Sequence, residues 1–118
     1  MNDYYEKGLT KLKLAVYILR HSSGSLKKRL EQAYSELNLI CEEHLPPNLW
    51  LDLSTVKKEL TTTKNNPKPD QSIVHCTLEK KRARTVENIA FNIIEIANEM
   101  CLFCAIHSVK AKRKKGHD

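Results

Sequence analysis

Apolar residues recur at spacings of three and four along most of the chain, and this spacing predicts amphipathic α-helices. The first predicted helix runs from about Asp3 to Arg20. Its apolar stripe consists of Tyr5, Leu9, Leu12, Val16 and Leu19. The small polar residues and the glycine of segment 21–25 end it.

The second predicted helix, from about Ser25 to Glu43, has a heptad-like apolar seam formed by Leu26, Leu30, Ala33, Leu37 and Ile40. Pro46 and Pro47 break it, because proline donates no amide hydrogen bond and restricts the residue before it. A third helix is predicted to begin at Pro47 and end near Thr61. Its inward-facing residues are Leu49, Leu53, Val56 and Leu60.

The second half of the chain begins with a polar segment, 61–72, that contains two prolines and no apolar side chain. It predicts an exposed loop within one domain. Ile73, Val74 and Leu78 then indicate a brief helix or apolar turn. Thr85 is the predicted N-cap of a last helix that ends near Val109. Its stripe is formed by Val86, Ile89, Ile93, Ile96, Met100 and Phe103, and Ile94, Ala97 and Cys101 widen it.

Because the last helix is apolar over more than half its circumference, we expect it at the centre of a bundle or partly in an oligomer interface. The predicted fold is all-α: a compact four-helix bundle with a long polar loop (61–72) and a basic C-terminal tail. A chain of 118 residues suits one domain. We place that domain at 1–109 and a basic flexible tail at 110–118.

Charge is concentrated at the end of the chain. Residues 110–118 carry five cations and one aspartate, a net charge of +4 out of a total of +6. The rest of the chain is therefore nearly neutral. Charges interrupt the apolar stretches, so we expect no transmembrane helix, and the N-terminal residues do not resemble a signal peptide. Reduced cysteines and a cytoplasmic location are the corresponding predictions.

The cysteines and histidines allow two interpretations. Cys101, Cys104 and His107 follow a Cys-x-x-Cys-x-x-His spacing that suggests zinc, with Cys41, His44, His75 and Cys76 as further candidate ligands. Cys101 and Cys104, however, lie within an apolar helix whose seam they continue, which is a common role of free cysteine. Redox chemistry is disfavoured because a helix C-terminus destabilises a thiolate. We expect structural cysteines, no metal and no cofactor.

No catalytic motif accompanies these residues. The three glycines, Gly8, Gly24 and Gly116, form neither a phosphate-binding loop nor a nucleophile elbow. The carboxylates Glu95 and Glu99 on the last helix are typical of a solvated face. The sequence therefore predicts a protein that is not an enzyme and that has no small-molecule substrate.

Three features are candidates for partner binding. The terminal cations are Lys110, Lys112, Arg113, Lys114 and Lys115, and a second basic run contains Lys80, Lys81, Arg82 and Arg84. Either run could contact nucleic acid or an acidic partner, although a terminal basic run is also typical of a solubilising end. Trp50 is either a core residue at a helix start or an anchor for a partner. The lack of apolar residues among the terminal lysines argues against membrane-surface binding.

The segments GSLKKRLEQAYSELNLI and EEHLPPNLWLDLSTVKKELT, followed by TVENIAFNIIEIANEM, resemble a group of small bacterial proteins of about a hundred residues. The resemblance covers roughly residues 9–105. It implies an all-helical fold and no particular activity, because the shared residues pack and cap helices.

These observations favour a non-enzymatic binding protein that acts as a regulator, adaptor or inhibitor through protein–protein contact, in the setting of a mobile element or of host interaction. Its expected partner is a protein, or a second copy bound through the last helix. Trp50 and the basic run 80–84 are the expected contact residues. The alternative is a nucleic-acid-binding protein that uses the basic tail together with the run 80–84.

Overall fold

The part of the chain that the structure describes is mainly helical. The computed structural model describes residues 3–63 and 71–116, and the side chains of its last helix as far as Ser108. The elements are α1 (Asp3–His21), α2 (Leu26–Leu37), a 3-10 turn (Glu42–His44), α3 (Pro47–Glu59), α4 (Ile73–Glu79) and α5 (Ala83–Gly116). No strand occurs in these residues, and the predicted all-α class is confirmed. The finer description as a four-helix bundle stays a prediction.

The core lies where α1, α2 and α3 meet α5, and α4 packs against α2. Eight buried apolar side chains come from α5, more than from any other helix: Val86, Ile89, Ala90, Ile93, Ile96, Ala97, Met100 and Cys104. The predicted stripes of the earlier helices also face inward, with Leu12, Leu30 and Leu53 fully buried. The apolar periodicity therefore identified the buried faces correctly.

The turn between α1 and α2 is built from local hydrogen bonds. Gly24 has a φ of +105°, a conformation that an L side chain rarely adopts. Ser25 caps α2 by accepting a hydrogen bond from the Lys28 amide at 3.2 Å. From α2, Arg29 donates to the Leu19 carbonyl at 2.7 Å, which satisfies an acceptor in the last turn of α1. These contacts fix the angle at which the two helices pack.

Helix α2 ends at Leu37, whereas the sequence pattern predicted that it would continue to Glu43. Ile40 and Leu45 both enter the core. In a continuous α-helix they would lie about 140° apart around the axis, so only one could face inward. The chain instead leaves the helix at Asn38 and makes the 3-10 turn before Pro46. Lys57 stabilises this path by donating to the Ile40 carbonyl at 2.8 Å.

Helix α5 begins at Ala83, so the predicted N-cap at Thr85 is wrong. The Val86 amide already donates to the Arg82 carbonyl at 3.1 Å, which places Thr85 inside the first turn. The helical backbone also continues beyond the predicted end at Val109, to Gly116. Residues 64–70 of the predicted loop and residues 117–118 of the predicted tail lie outside the described residues. The long polar loop and the flexible tail stay predictions.

Candidate functional site

Trp50 lies in the first turn of α3, where Pro47 occupies the first helical position. Its ring is half-buried and packs against the core. The Lys57 ammonium lies 5.1 Å from the ring centroid, a cation–π distance. Burial lowers the pKa of Lys57, and the neighbouring Cys41 thiol acts in the opposite direction. Trp50 therefore packs partly against the core and contacts Lys57 of the same helix, and its predicted role as an anchor for a partner stays a prediction.

The basic run 80–84 lies where α4 passes into α5. Lys80, Arg82 and Arg84 are exposed, and Lys81 is half-buried. Within the described part of the chain, none of these cations forms an ion pair. Positive charge at a helix N-terminus opposes the helix dipole, so the run does not stabilise α5. It is an exposed cationic surface at one end of that helix.

The terminal cations Lys110–Lys115 follow on the same helix. The backbone of α5 includes them, but their side chains lie outside the description. Because α5 runs from Ala83 to Gly116, the basic run 80–84 lies at its N-terminal end and residues 110–115 belong to its C-terminal end. The backbone therefore separates the two basic runs by most of the length of one helix.

The side of α5 that faces away from the core carries exposed apolar residues that the sequence analysis did not single out. Phe91, Leu102 and Ile106 are 59%, 62% and 46% exposed. They lie within about 60° of one another around the helix axis, on the side away from the core. Their spacings of eleven and four place them on one side of a helix, but the helix is apolar around so much of its circumference that this second side did not stand out in the sequence. We call these three residues the outer face of α5.

An acidic groove runs beside this face, between α3 and α5. Its rim carries Asp52, Glu59, Glu95 and Glu99, and Val56 and Ile96 form its apolar floor. No cation lines it among the described residues. The net positive charge of the chain is thus interrupted by a negative surface in the middle of α5.

His75 connects α4 to α2. Its Nδ1 lies 3.2 Å from Glu31 Oε2, and its Nε2 lies 2.9 Å from Glu79 Oε1. Ser72 caps α4 and also donates to Glu31 at 3.0 Å. The hydrogen bond to Glu31, supported by the charge of Glu79, raises the pKa of His75. The imidazole thus lies between two carboxylates, Glu31 on α2 and Glu79 on α4, and these contacts connect the short helix α4 to α2.

The candidate metal ligands are dispersed. Cys104 is buried, and burial raises the pKa of its thiol, which disfavours the thiolate that a metal needs. Cys101 is only half-buried, and the His107 ring lies against Phe103, tilted by 40° with ring centroids 4.1 Å apart. Cys41 is exposed at the start of the 3-10 turn, where its amide donates to His44. In the described residues, no three histidines, cysteines or carboxylates converge on a possible metal position.

One stretch of α5, Ala83–Ser108, is long and apolar enough to span a membrane on length and composition alone, contrary to the expectation from the sequence. The core helix of a soluble protein passes the same test, and 39% of the apolar window is buried inside this fold. The cytoplasmic location stays a prediction.

Comparison with known proteins finds no matching family model, no matching curated protein and no matching solved structure. The resemblance to small bacterial helical proteins therefore stays a prediction, and the assignment of function depends on the surfaces described above.

Proposed function

We propose that this chain is a non-enzymatic binding protein that acts as a regulator, adaptor or inhibitor through protein–protein contact. The observation that carries the proposal is the outer face of α5. Three large apolar side chains are exposed on one side of a helix whose opposite side is the core of the domain. Apolar residues grouped on one rigid face are typical of a docking site, whereas isolated ones are ordinary.

The distribution of ionisable groups supports a binding role over a catalytic one. Among the described residues, the groups with clearly shifted pKa values are Lys57, His75 and Cys104, on three different helices. Each shift comes from burial or from an adjacent carboxylate. Catalytic sites usually gather such groups in one cleft. Trp50 and the exposed cations of the run 80–84 would act as secondary contacts for an acidic partner.

The test is affinity capture from the native host with full-length tagged protein and with a Leu102→Ser/Ile106→Ser variant. The matched control is Leu51→Ser, because Leu51 is 67% exposed on α3 and lies on another helix. We expect a defined partner that the wild type and the control retain and the α5 variant loses. Equal recovery by all three proteins would contradict docking through α5.

Nucleic-acid binding is the second candidate, favoured by the exposed cations Lys80, Arg82 and Arg84, which form no ion pair with any other described residue. Phosphate contacts release counterions, so log affinity should fall steeply with log salt concentration. The assay measures retention of DNA and RNA by full-length protein and by a chain ending at Val109, with Arg82→Gln/Arg84→Gln as a further variant. Truncation should flatten the slope if Lys110–Lys115 contact phosphates, and equal slopes would exclude them.

A further inference from the structure

A second groove flanks α5, between this helix and the C-terminal half of α1. Helix α1 contributes two cations and two aromatic rings, and α5 contributes an exposed amide and a half-buried thiol. We call it the basic groove and define it by Lys13, Tyr17, Arg20, His21, Asn98 and Cys101. No carboxylate is among its described lining residues, whereas four carboxylates line the groove on the α3 side of the same helix.

The aromatic part of the basic groove lies between its cations. The Tyr17 side chain is 62% exposed, and its ring centroid lies 4.5 Å from that of His21, with the planes tilted by 36°. Lys13 precedes Tyr17 by four residues and Arg20 follows it by three, so one side of α1 presents all three. A regular helix therefore holds cations on both sides of an exposed ring.

Helix stability accounts for only part of this arrangement. Arg20 and His21 lie in the last turn of α1, where positive charge stabilises a helix end. Lys13 lies about two turns earlier, beyond the range of that effect. Neither Lys13 nor Arg20 forms an ion pair with another described residue. The cations and the ring are thus exposed beside an apolar floor to which Ala97 belongs.

We propose that the basic groove binds single-stranded nucleic acid, with a phosphate at Lys13 and Arg20 and a base against the Tyr17 ring. The inference rests on the second candidate function and adds a site that is separate from the two basic runs. A nucleotide offers an anion and an aromatic face, and the groove matches both. An acidic peptide would match the cations alone, and a duplex keeps its base faces stacked.

The first test measures binding of labelled oligo-dT and oligo-U of about ten nucleotides to the full-length protein by fluorescence anisotropy at low salt. Tyr17→Ser should raise the dissociation constant at least about fivefold, because it removes the stacking surface. Tyr17→Phe keeps the ring and should bind like the wild type. The side chain is exposed, so both variants should give the circular dichroism of the wild type. Equal affinity of all three proteins would overturn the proposal.

The second test measures how the affinity depends on salt. Each phosphate contact on a single strand contributes about 0.7 to the slope of log affinity against log salt. Lys13→Gln/Arg20→Gln should therefore flatten the slope by about 1.4. The control Lys7→Gln/Lys58→Gln removes the same charge from exposed positions outside the groove and should keep the slope. A slope that the groove variant leaves unchanged would show that its cations do not contact phosphates.

The third test uses Cys101 as a reporter in the wild type, because it lines the groove and is half-buried. Saturating oligo-dT should slow its modification by a thiol reagent. Cys41 is exposed and lies outside the groove, so its rate should stay the same. Unchanged modification of Cys101 would contradict the site. Equal protection by poly-glutamate would identify an acidic protein as the occupant and would also overturn the proposal.

The outcomes separate this inference from the candidate function on which it rests. If the wild type binds oligonucleotides and only Arg82→Gln/Arg84→Gln or truncation at Val109 weakens binding, the groove is wrong and the second candidate function stands. If the full-length protein binds no oligonucleotide at low salt, both are wrong. Docking of a protein through α5 is independent of either result, because the capture experiment tests different residues.

Discussion

Substituting Gly8 with alanine tests how α1 packs against the 3-10 turn. Gly8 is buried, and a Cβ atom there would overlap the carbonyl oxygen of His44. It would also approach the His44 carbonyl carbon to 3.1 Å and the His44 Cβ to 3.2 Å. The carbonyl oxygen and carbon belong to the backbone, so a change of side-chain rotamer cannot remove the overlap. The glycine therefore allows the two segments to approach each other closely.

The neighbourhood of His44 restricts how far the turn can move. The His44 amide donates to Cys41 at 3.0 Å, and its ring nitrogen accepts from the Cys41 amide at 2.8 Å. Leu45, the next residue, is buried in the core. Relief of the overlap would have to displace this whole unit.

The expected magnitude follows from two opposed effects. Alanine is favoured over glycine in a helix by about 0.8–1 kcal/mol, and overpacking of a rigid site costs about 1–3 kcal/mol. The overlap is with backbone, so we place its cost in the upper part of that range. Gly8→Ala should therefore destabilise the fold by about 1–2 kcal/mol, which lowers the melting temperature by roughly 5 °C in a chain of this length.

The assay is urea unfolding followed by circular dichroism at equal protein concentrations. Thr10→Ala is the control, since Thr10 is exposed on the same helix and alanine also raises helix propensity there. Its free energy of unfolding should stay within about 0.5 kcal/mol of the wild-type value. A Gly8→Ala protein that is as stable as wild type, or more so, would refute the close packing of α1 on the turn.

Three further predictions concern other parts of the fold. His75→Gln should remove a stabilisation of the folded state that is fully present below pH 6.5 and is lost as pH rises through the raised pKa of His75. The free energy of unfolding of the variant should therefore differ more from that of the wild type near pH 5.5 than near pH 9. Gly24→Ala should cost about 1 kcal/mol in urea unfolding, because the φ of +105° strains any L side chain and the new Cβ would lie 2.9 Å from Lys28 Cδ; unchanged stability would contradict that backbone conformation. Cys104→Ala should cost only about 1 kcal/mol, at the low end of core truncations. In the wild type, a thiol reagent should modify the exposed Cys41 faster than the buried Cys104. If the purified protein instead contains about one equivalent of zinc and unfolds when a chelator is added, the structural interpretation of these cysteines is wrong.

The sequence by itself determined which faces of the helices are buried. The burial of Leu12, Leu30, Leu53 and Ile93 was predicted from their spacing alone, and all four are fully buried. A helix packs with its apolar stripe towards the core, because that removes the stripe from water. The start of α3 at Pro47 was also readable, since proline both breaks the preceding segment and fits the first turn of a helix. These features depend only on local chemistry and helical geometry.

The tertiary structure decided where helices stop and how much of each circumference is covered. Helix α2 ends at Leu37 because Ile40 and Leu45 both need the core, a requirement set by neighbouring helices and absent from the local pattern. Leu102 and Ile106 are as apolar as Met100, and spacing alone cannot show that α1 packs against one side of α5 and leaves the other side open. Periodicity determines the angle of a side chain around its helix, but only the neighbouring helices determine whether that angle is buried. For that reason the candidate docking surface became visible only in the folded chain.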